Sequence, residues 1–253
     1  MSGNGRNSSS ASALPSAGEV TARLLLAVLA AGAMVFPAAV APAQQAQQTA
    51  QRDWTRNVVQ TPEGGFRMGN PEARVKVVEY LSLTCSHCAT FAQNGAPALI
   101  RDYVRTGRAS LEYRNFVLNG VDVTASLLAR CGGTARFFPI AGELLATQPN
   151  WMGRVDGLTQ AERNQLNALP SGERLAPLAE MIGLTAVAAR HGVSAAQARR
   201  CLTDEAGLDR LGEMARSASA LGINGTPTFL INGARVEVND WARLEPLIRA
   251  AAG

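Results

Sequence analysis

The clearest hydrophobic pattern in the chain runs from Val75 to Leu83. Val75, Val77, Leu81 and Leu83 fall on one phase and Val78 and Tyr80 on the other. A strand with this pattern is apolar on both faces and belongs inside a sheet. Glu79 interrupts the first set, an acid at a position the pattern buries. From about Cys85 to Thr106 the pattern turns helical, with Gly95 and Pro97 predicting a kink near Asn94–Pro97 and Gly107 a stop. Ser110–Leu118 reads as a second strand, which completes a β-α-β unit.

Past Asn119-Gly120 the texture changes. Val121 to about Gly222 is rich in Ala, Leu and Arg and predicts about five helices and no strand. Thr159-x-x-Glu162 and Ser194-x-x-Gln197 are capping-box patterns, and Gly192 fits the residue just past a helix end. Thr228–Ile231, the Asn232-Gly233 turn and Ala234–Val238 read as a hairpin, followed by a terminal helix over Asp240–Ala251. The sheet is therefore assembled before and after a helical block, an insertion with no internal repeat.

The amino-terminal region is set apart from the fold. Arg23 precedes an apolar stretch of thirteen residues, Leu24–Phe36, then Pro37 and the small-residue run Ala38–Ala43. Residues 1–43 thus read as a secretory signal peptide cleaved before Gln44. An uncleaved membrane anchor is the weaker alternative, because a span needs roughly 20 apolar residues. Residues 44–56, Gln/Ala-rich at their start, read as a flexible tether. The 210 residues from Gln44 carry 22 basic and 19 acidic side chains, and Lys76 is the only lysine. Without a basic run interleaved with aromatics there is no case for nucleic-acid binding.

Chemistry enters with Cys85-Ser86-His87-Cys88, placed where the first strand turns into a helix. That position puts the Cys85 sulfur at a helix N-terminus, where unpaired N–H groups and the helix dipole favour a thiolate. A thiolate attacks disulfides, so the motif points to thiol–disulfide exchange, with Cys85 as the exposed sulfur and Cys88, one turn inside, resolving the mixed disulfide. A purely structural disulfide is a poor alternative, since so small a ring removes little loop entropy. His87 lies between the sulfurs and can supply positive charge. Zinc is disfavoured because the chain holds a single C-x-x-C. Cys131 and Cys201 stand alone in the helical block, and in an exported chain an even cysteine count favours a second, non-catalytic disulfide over two free thiols. His191, before Gly192, reads as a surface residue at a helix end with no chemistry.

Two motifs carry a family resemblance. Val77-Val78-Glu79-Tyr80-Leu81-Ser82-Leu83-Thr84-Cys85-Ser86-His87-Cys88 and Gly222-Ile223-Asn224-Gly225-Thr226-Pro227-Thr228-Phe229, on either side of an all-helical insert, resemble the DsbA-like thioredoxin-fold disulfide oxidoreductases. The resemblance implies an α/β, thioredoxin-like fold: residues 57–119 and 223–253 form the thioredoxin-like domain and 120–222 the inserted helical domain. It implies a cis bond before Pro227 packed on the cysteines, with Thr226 offering backbone groups to an extended substrate. It also implies that Glu79 is a buried acid relaying protons to Cys88. The expected protein is a periplasmic enzyme, a monomer, that donates the Cys85–Cys88 disulfide to reduced or unfolded exported proteins. A quinone-linked membrane thiol oxidase would reoxidise it, and neither cofactor nor metal is required. Two departures keep a disulfide isomerase or reductase in view: Ser86 stands where well-known oxidases of the family have proline, and Thr226 also suits the isomerase and reductase branches. A non-catalytic peptide-binding chaperone is the more distant alternative.

Overall fold

A computed structural model describes residues 52–253. The expected signal peptide and the first part of the expected tether lie outside these residues. The chain opens with a hairpin, β1 (Val58–Gln60) and β2 (Phe66–Gly69), then forms β3 (Val75–Leu81) and the helix α1 (Ser86–Asn94). α2 (Ala96–Leu99) runs into a single π turn, Ile100–Val104, and β4 (Ala109–Asn115) follows. After the insertion come β5 (Thr228–Ile231) and β6 (Ala234–Val236). The strands form one mixed sheet in the order β1-β2-β4-β3-β5-β6. β3, the strand apolar on both faces, lies parallel to β4 and antiparallel to β5, as a central strand should.

Several boundaries differ from the sequence reading, each for a local reason. The pattern predicts no strand between residues 58 and 69, yet the β1–β2 hairpin extends the sheet beyond β4. Its strands are three and four residues long, too short for alternation to register. The second strand stops at Asn115, three residues early, and leaves Leu118 half exposed. The interruption expected near Asn94–Pro97 is present: Gly95 separates α1 from α2, and a Cβ there would lie 2.6 Å from the Phe91 ring and 3.0 Å from Trp241. Gly107, at φ 79°, ends the segment as anticipated.

The insertion contains eight α-helices, not five: α3 (Gly120–Cys131), α4 (Gly133–Ala146), α5 (Gln148–Asp156), α6 (Gln160–Asn167), α7 (Leu175–Met181), α8 (Leu184–Arg190), α9 (Ala195–Leu202) and α10 (Glu205–Ala220). Breaks at Gly132, Thr147, Gly157 and Gly183 are spaced so closely that a uniform Ala/Leu/Arg texture hides them. Thr159 and Glu162 form a complete capping box on α6. Ser194 caps α9, but the Gln197 side chain turns away to the Cys131 carbonyl at 3.1 Å. His191 is not a free surface residue: its Nε2 lies 2.6 Å from Glu143 and three quarters of the side chain is covered. The closing helix α11 (Trp241–Ala252) is capped by Asp240, which accepts the Arg243 N–H.

The insertion shares its core with the sheet. Phe137 of α4 stacks on Phe66 of β2 at 4.1 Å between centroids, and Phe138 meets Tyr113 of β4 at 5.0 Å. On the same face Phe91 of α1 lies against Phe229 of β5 at 4.6 Å. The other face is thinner: Val78, Tyr80 and Leu230 pack on Ala218 of α10 and on Ile223. No helix among the described residues is long and apolar enough to cross a membrane.

A disulfide joins Cys131, at the end of α3, to Cys201 in α9, with Cα atoms 5.7 Å apart and a sequence separation of 70. Closing so long a loop restricts the unfolded chain, so the Cys131→Ala/Cys201→Ala pair should lose about 2–4 kcal/mol of unfolding free energy in urea titrations. Unchanged stability would mean that the helices alone hold the two ends together.

Candidate active site

The local sequence places both sulfurs. β3 ends at Leu81, the chain turns through Ser82–Thr84, and Cys85 is the N-cap residue of α1, extended at φ −84° and ψ 121°. Cys85 and Cys88 are free thiols, the first partly exposed and the second fully buried. The Thr226–Pro227 peptide bond is cis. It brings the Thr226 carbonyl to 3.3 Å from the Cys85 sulfur, across 141 positions of sequence. The cysteine motif and the proline motif therefore form one site.

The two thiols are driven in opposite directions. Cys85 is held down to about 5, chiefly because the Cys88 thiol donates a hydrogen bond to its sulfur. Partial burial opposes this, while Thr226 and the backbone N–H groups of Cys88 and His87 reinforce it. The Thr226 hydroxyl is buried and has no hydrogen-bond partner. Burial pushes the Cys88 thiol far up, and a charged Cys85 beside it pushes the same way. These are the opposed effects expected of an anion at a helix N-terminus with its neutral partner one turn inside.

Glu79 sits beneath the cysteines on β3, 1% exposed, and its Oε2 has no hydrogen-bond partner. Burial raises its carboxyl well above the usual range, and a charged Cys85 raises it further. Both effects favour the protonated carboxyl, and Glu79 in turn bears on Cys88. Tyr113 stands directly across from it in the β3–β4 register and is itself buried. The His87 side chain is exposed, and it is the backbone N–H of this residue that bears on the Cys85 sulfur.

Two residues absent from the sequence reading hold the loop that carries Cys85. Gln148, the first residue of α5 and 5% exposed, donates its side-chain N–H groups to the carbonyls of Leu83 at 2.7 Å and Cys85 at 3.1 Å. Asp122 in α3 is fully buried: Oδ1 accepts the Leu83 N–H at 2.9 Å and Oδ2 the Leu118 N–H at 3.0 Å. Burial pushes its carboxyl up to about 6 against those hydrogen bonds. Asn119-x-x-Asp122 carries a helix-start signal, and Asn119 does accept the Asp122 N–H at 2.9 Å. Nothing in the sequence marks Gln148.

Residues 60–250 match the family described as Thioredoxin, and the chain belongs to that family. Among curated proteins it is similar to one from Rickettsia bellii that bears the provisional name protein-disulfide oxidoreductase: 27% identical over 207 residues, 79% of this chain and 70% of that protein. A Rickettsia typhi protein of the same provisional name is 30% identical over 172 residues, 67% of this chain, but only 55% of the relative is spanned. Among solved structures, a protein-disulfide isomerase from Novosphingobium aromaticivorans aligns with a TM-score of 0.70 at 30% identity, covering 75% of this chain and 98% of that one. Wolbachia pipientis alpha-DsbA1 aligns with a TM-score of 0.60 at 21% identity over 74% and 90% of the two chains, which shows a shared DsbA-like fold.

The site makes three solution predictions. Thiolate absorbance of the reduced protein should titrate with a midpoint near pH 5. The low value exists only in the folded dithiol. Reduced protein should therefore gain stability over oxidised protein as pH rises from about 5 toward the ordinary thiol range near ~8.5, and lose that gain as pH falls through 5. Gln148→Met keeps side-chain length and removes the donor, so the Cys85 midpoint should rise by about one pH unit, the equivalent of one hydrogen bond. A variant of lowered Tm with an unmoved titration would make Gln148 a packing residue only.

Proposed function

We propose that the chain is an exported thiol:disulfide oxidoreductase that donates its Cys85–Cys88 disulfide to reduced proteins in the periplasm. The observation that carries this reading is the opposed setting of the two thiols, Cys85 low and Cys88 high, beside the cis Thr226–Pro227 bond. In the oxidised form a substrate thiolate attacks the Cys85 sulfur, the Cys85–Cys88 bond breaks, and Cys88 leaves as a thiolate. Glu79, protonated in its buried position, supplies the proton that the Cys88 sulfur requires. A second substrate thiolate then attacks the substrate sulfur of the mixed disulfide. Cys85 leaves as a thiolate stabilised by its helix terminus, and the substrate keeps the new disulfide. The exposed His87 ring adds positive potential when protonated. The backbone of Thr226 aligns the substrate strand. Reoxidation falls to a quinone-linked membrane thiol oxidase.

A disulfide isomerase is the second reading, favoured by the 30% identity to the Novosphingobium aromaticivorans structure of that description. The reduction potential of residues 44–253, equilibrated against glutathione, separates the two. A stabilised Cys85 thiolate stabilises the reduced form, so the expected value lies toward the oxidising end, about −120 mV. A value near the thioredoxin end, about −270 mV, would overturn the oxidase reading. Glu79→Gln should slow substrate oxidation by roughly 10²-fold near neutral pH while leaving Cys85 reactive toward small alkylating agents; an unchanged oxidation rate would remove Glu79 from the proton path.

A further inference from the structure

Two charged side chains of α3 enter the interior without an oppositely charged neighbour. Asp122 stands in the first turn and is fully buried. Besides the Leu83 and Leu118 N–H groups, the groups that bear chiefly on it are the Ser82 and Ser126 hydroxyls, and it forms no ion pair among the described residues. Arg130 stands near the other end of the helix, partly buried, with its guanidinium 5.0 Å from the Phe66 ring. Its Nη2 donates to the Gly64 carbonyl at 2.8 Å. The charge that bears on it is Arg210 of α10, a like charge. Taking either ion out of water alone is costly. Burial accordingly pulls the guanidinium down to about 10, as it pushes the carboxyl up.

A continuous run of hydrogen bonds joins the two. Arg130 Nη1 donates to Asn115 Oδ1 at 3.1 Å, Asn115 Nδ2 to the Ser126 hydroxyl at 3.1 Å, and that hydroxyl to Asp122 Oδ1 at 3.4 Å. Asn115 and Ser126 are both buried. The direction of the run is fixed from its two ends. An arginine can only donate and a carboxylate can only accept, so the amide turns its oxygen to Arg130 and its NH2 to Ser126. Every dipole then presents its positive end toward the carboxylate and its negative end toward the guanidinium. Hydrogen bonds aligned in this way polarise one another. The run ends on the same Oδ1 that accepts the Leu83 N–H, two residues before Cys85.

We propose that Arg130 is the counter-ion of Asp122, acting through Asn115 and Ser126, and is thereby a positioning residue for the turn that carries Cys85. Hydrogen bonds to an ionised carboxylate are stronger than those to a neutral carboxyl. Withdrawing the cation favours the neutral carboxyl, which holds the Leu83 and Leu118 N–H groups less firmly and loosens the turn. A looser turn aims fewer N–H groups at the sulfur and stabilises its thiolate less. The inference rests on Cys85 as the reacting sulfur of the proposed function. Its test compares variants of one couple, so it can fail while the oxidase reading holds, and the reverse.

NMR of the reduced protein, resolved at the Leu83 and Leu118 amides, tests the assignment, because an amide proton bonded to a carboxylate follows its ionisation. Both amides should titrate near pH 6 in the parent, and about one unit higher in Arg130→Gln. The equilibrium constant for reducing the Cys85–Cys88 couple with glutathione should fall roughly threefold in Arg130→Gln between about pH 6 and 7, a fraction of one hydrogen bond. It should return to the parent's value above about pH 8, where Asp122 is ionised in both proteins. Asn115→Ala removes the link and leaves the Leu83, Leu118 and Ser126 donors in place, so it should move both readouts the same way. It also answers the question if Arg130→Gln folds poorly. Amide midpoints that stay at the parent's value in the folded variants would overturn the proposal and leave Arg130 a packing residue on Phe66 and Gly64. Midpoints that move while the glutathione equilibrium stays unchanged from pH 6 to 7 would overturn the link to Cys85.

Discussion

The grip of two insertion side chains on the loop before Cys85 is the constraint on which the site depends. Between the end of β3 and the first turn of α1 the backbone has left the sheet and has not yet entered the helix. Its polar groups still require partners. Asp122 takes the Leu83 N–H, Gln148 satisfies the Leu83 and Cys85 carbonyls, the Ser82 hydroxyl takes the Thr84 N–H at 3.1 Å, and the Cys85 N–H reaches the Ser82 carbonyl at 3.3 Å. With these groups occupied, the start of α1 is fixed, and the N–H groups of His87 and Cys88 are aimed at sulfur. The insertion therefore does more than enlarge the molecule. It completes the turn on which the thiolate rests.

That rigidity explains how two identical side chains three residues apart acquire opposite chemistry. A helix terminus offers its unpaired donors only to the residue at the cap, so Cys85 receives them and Cys88, one turn inside, does not. The buried surroundings of Cys88 and Glu79 admit little charge, and each raises the cost of ionising its neighbours. One negative charge, on Cys85, is what the site accommodates. A second charge would sit in low dielectric facing the first. Burial and a charged Cys85 both favour the protonated Glu79 carboxyl, the preference on which the proposed proton path draws.

Legibility in the sequence followed the reach of each signal. β3 was readable because seven residues apolar on both faces admit few alternatives. The β5–β6 hairpin was readable from Asn232-Gly233, both of which adopt positive φ. The β1–β2 hairpin was not, since three- and four-residue strands hold no periodicity, and the helix breaks of the insertion vanish in a uniformly helix-forming composition. Within the site, Cys85 and Cys88 announce themselves through spacing, and Thr226-Pro227 through resemblance alone, because a cis bond leaves no compositional trace. Gln148 was invisible for a deeper reason. A buried glutamine at the start of a helix looks like any solvent-facing one until tertiary structure brings Leu83 and Cys85 to it.

The two faces of the sheet record an unequal division of that tertiary structure. α1, α4 and the aromatic pairs close one face completely, and the packing there is what holds Glu79 and Cys88 away from water. On the other face α10 supplies little beyond Ala218, and the small cluster it forms stops short of β1 and β2. The missing cover is replaced by long cations whose stems lie along apolar surface while their heads reach the rim. Arg114 in this role is tied down by two acids and the Tyr80 hydroxyl, which links β4 to β3 and to the β1–β2 turn.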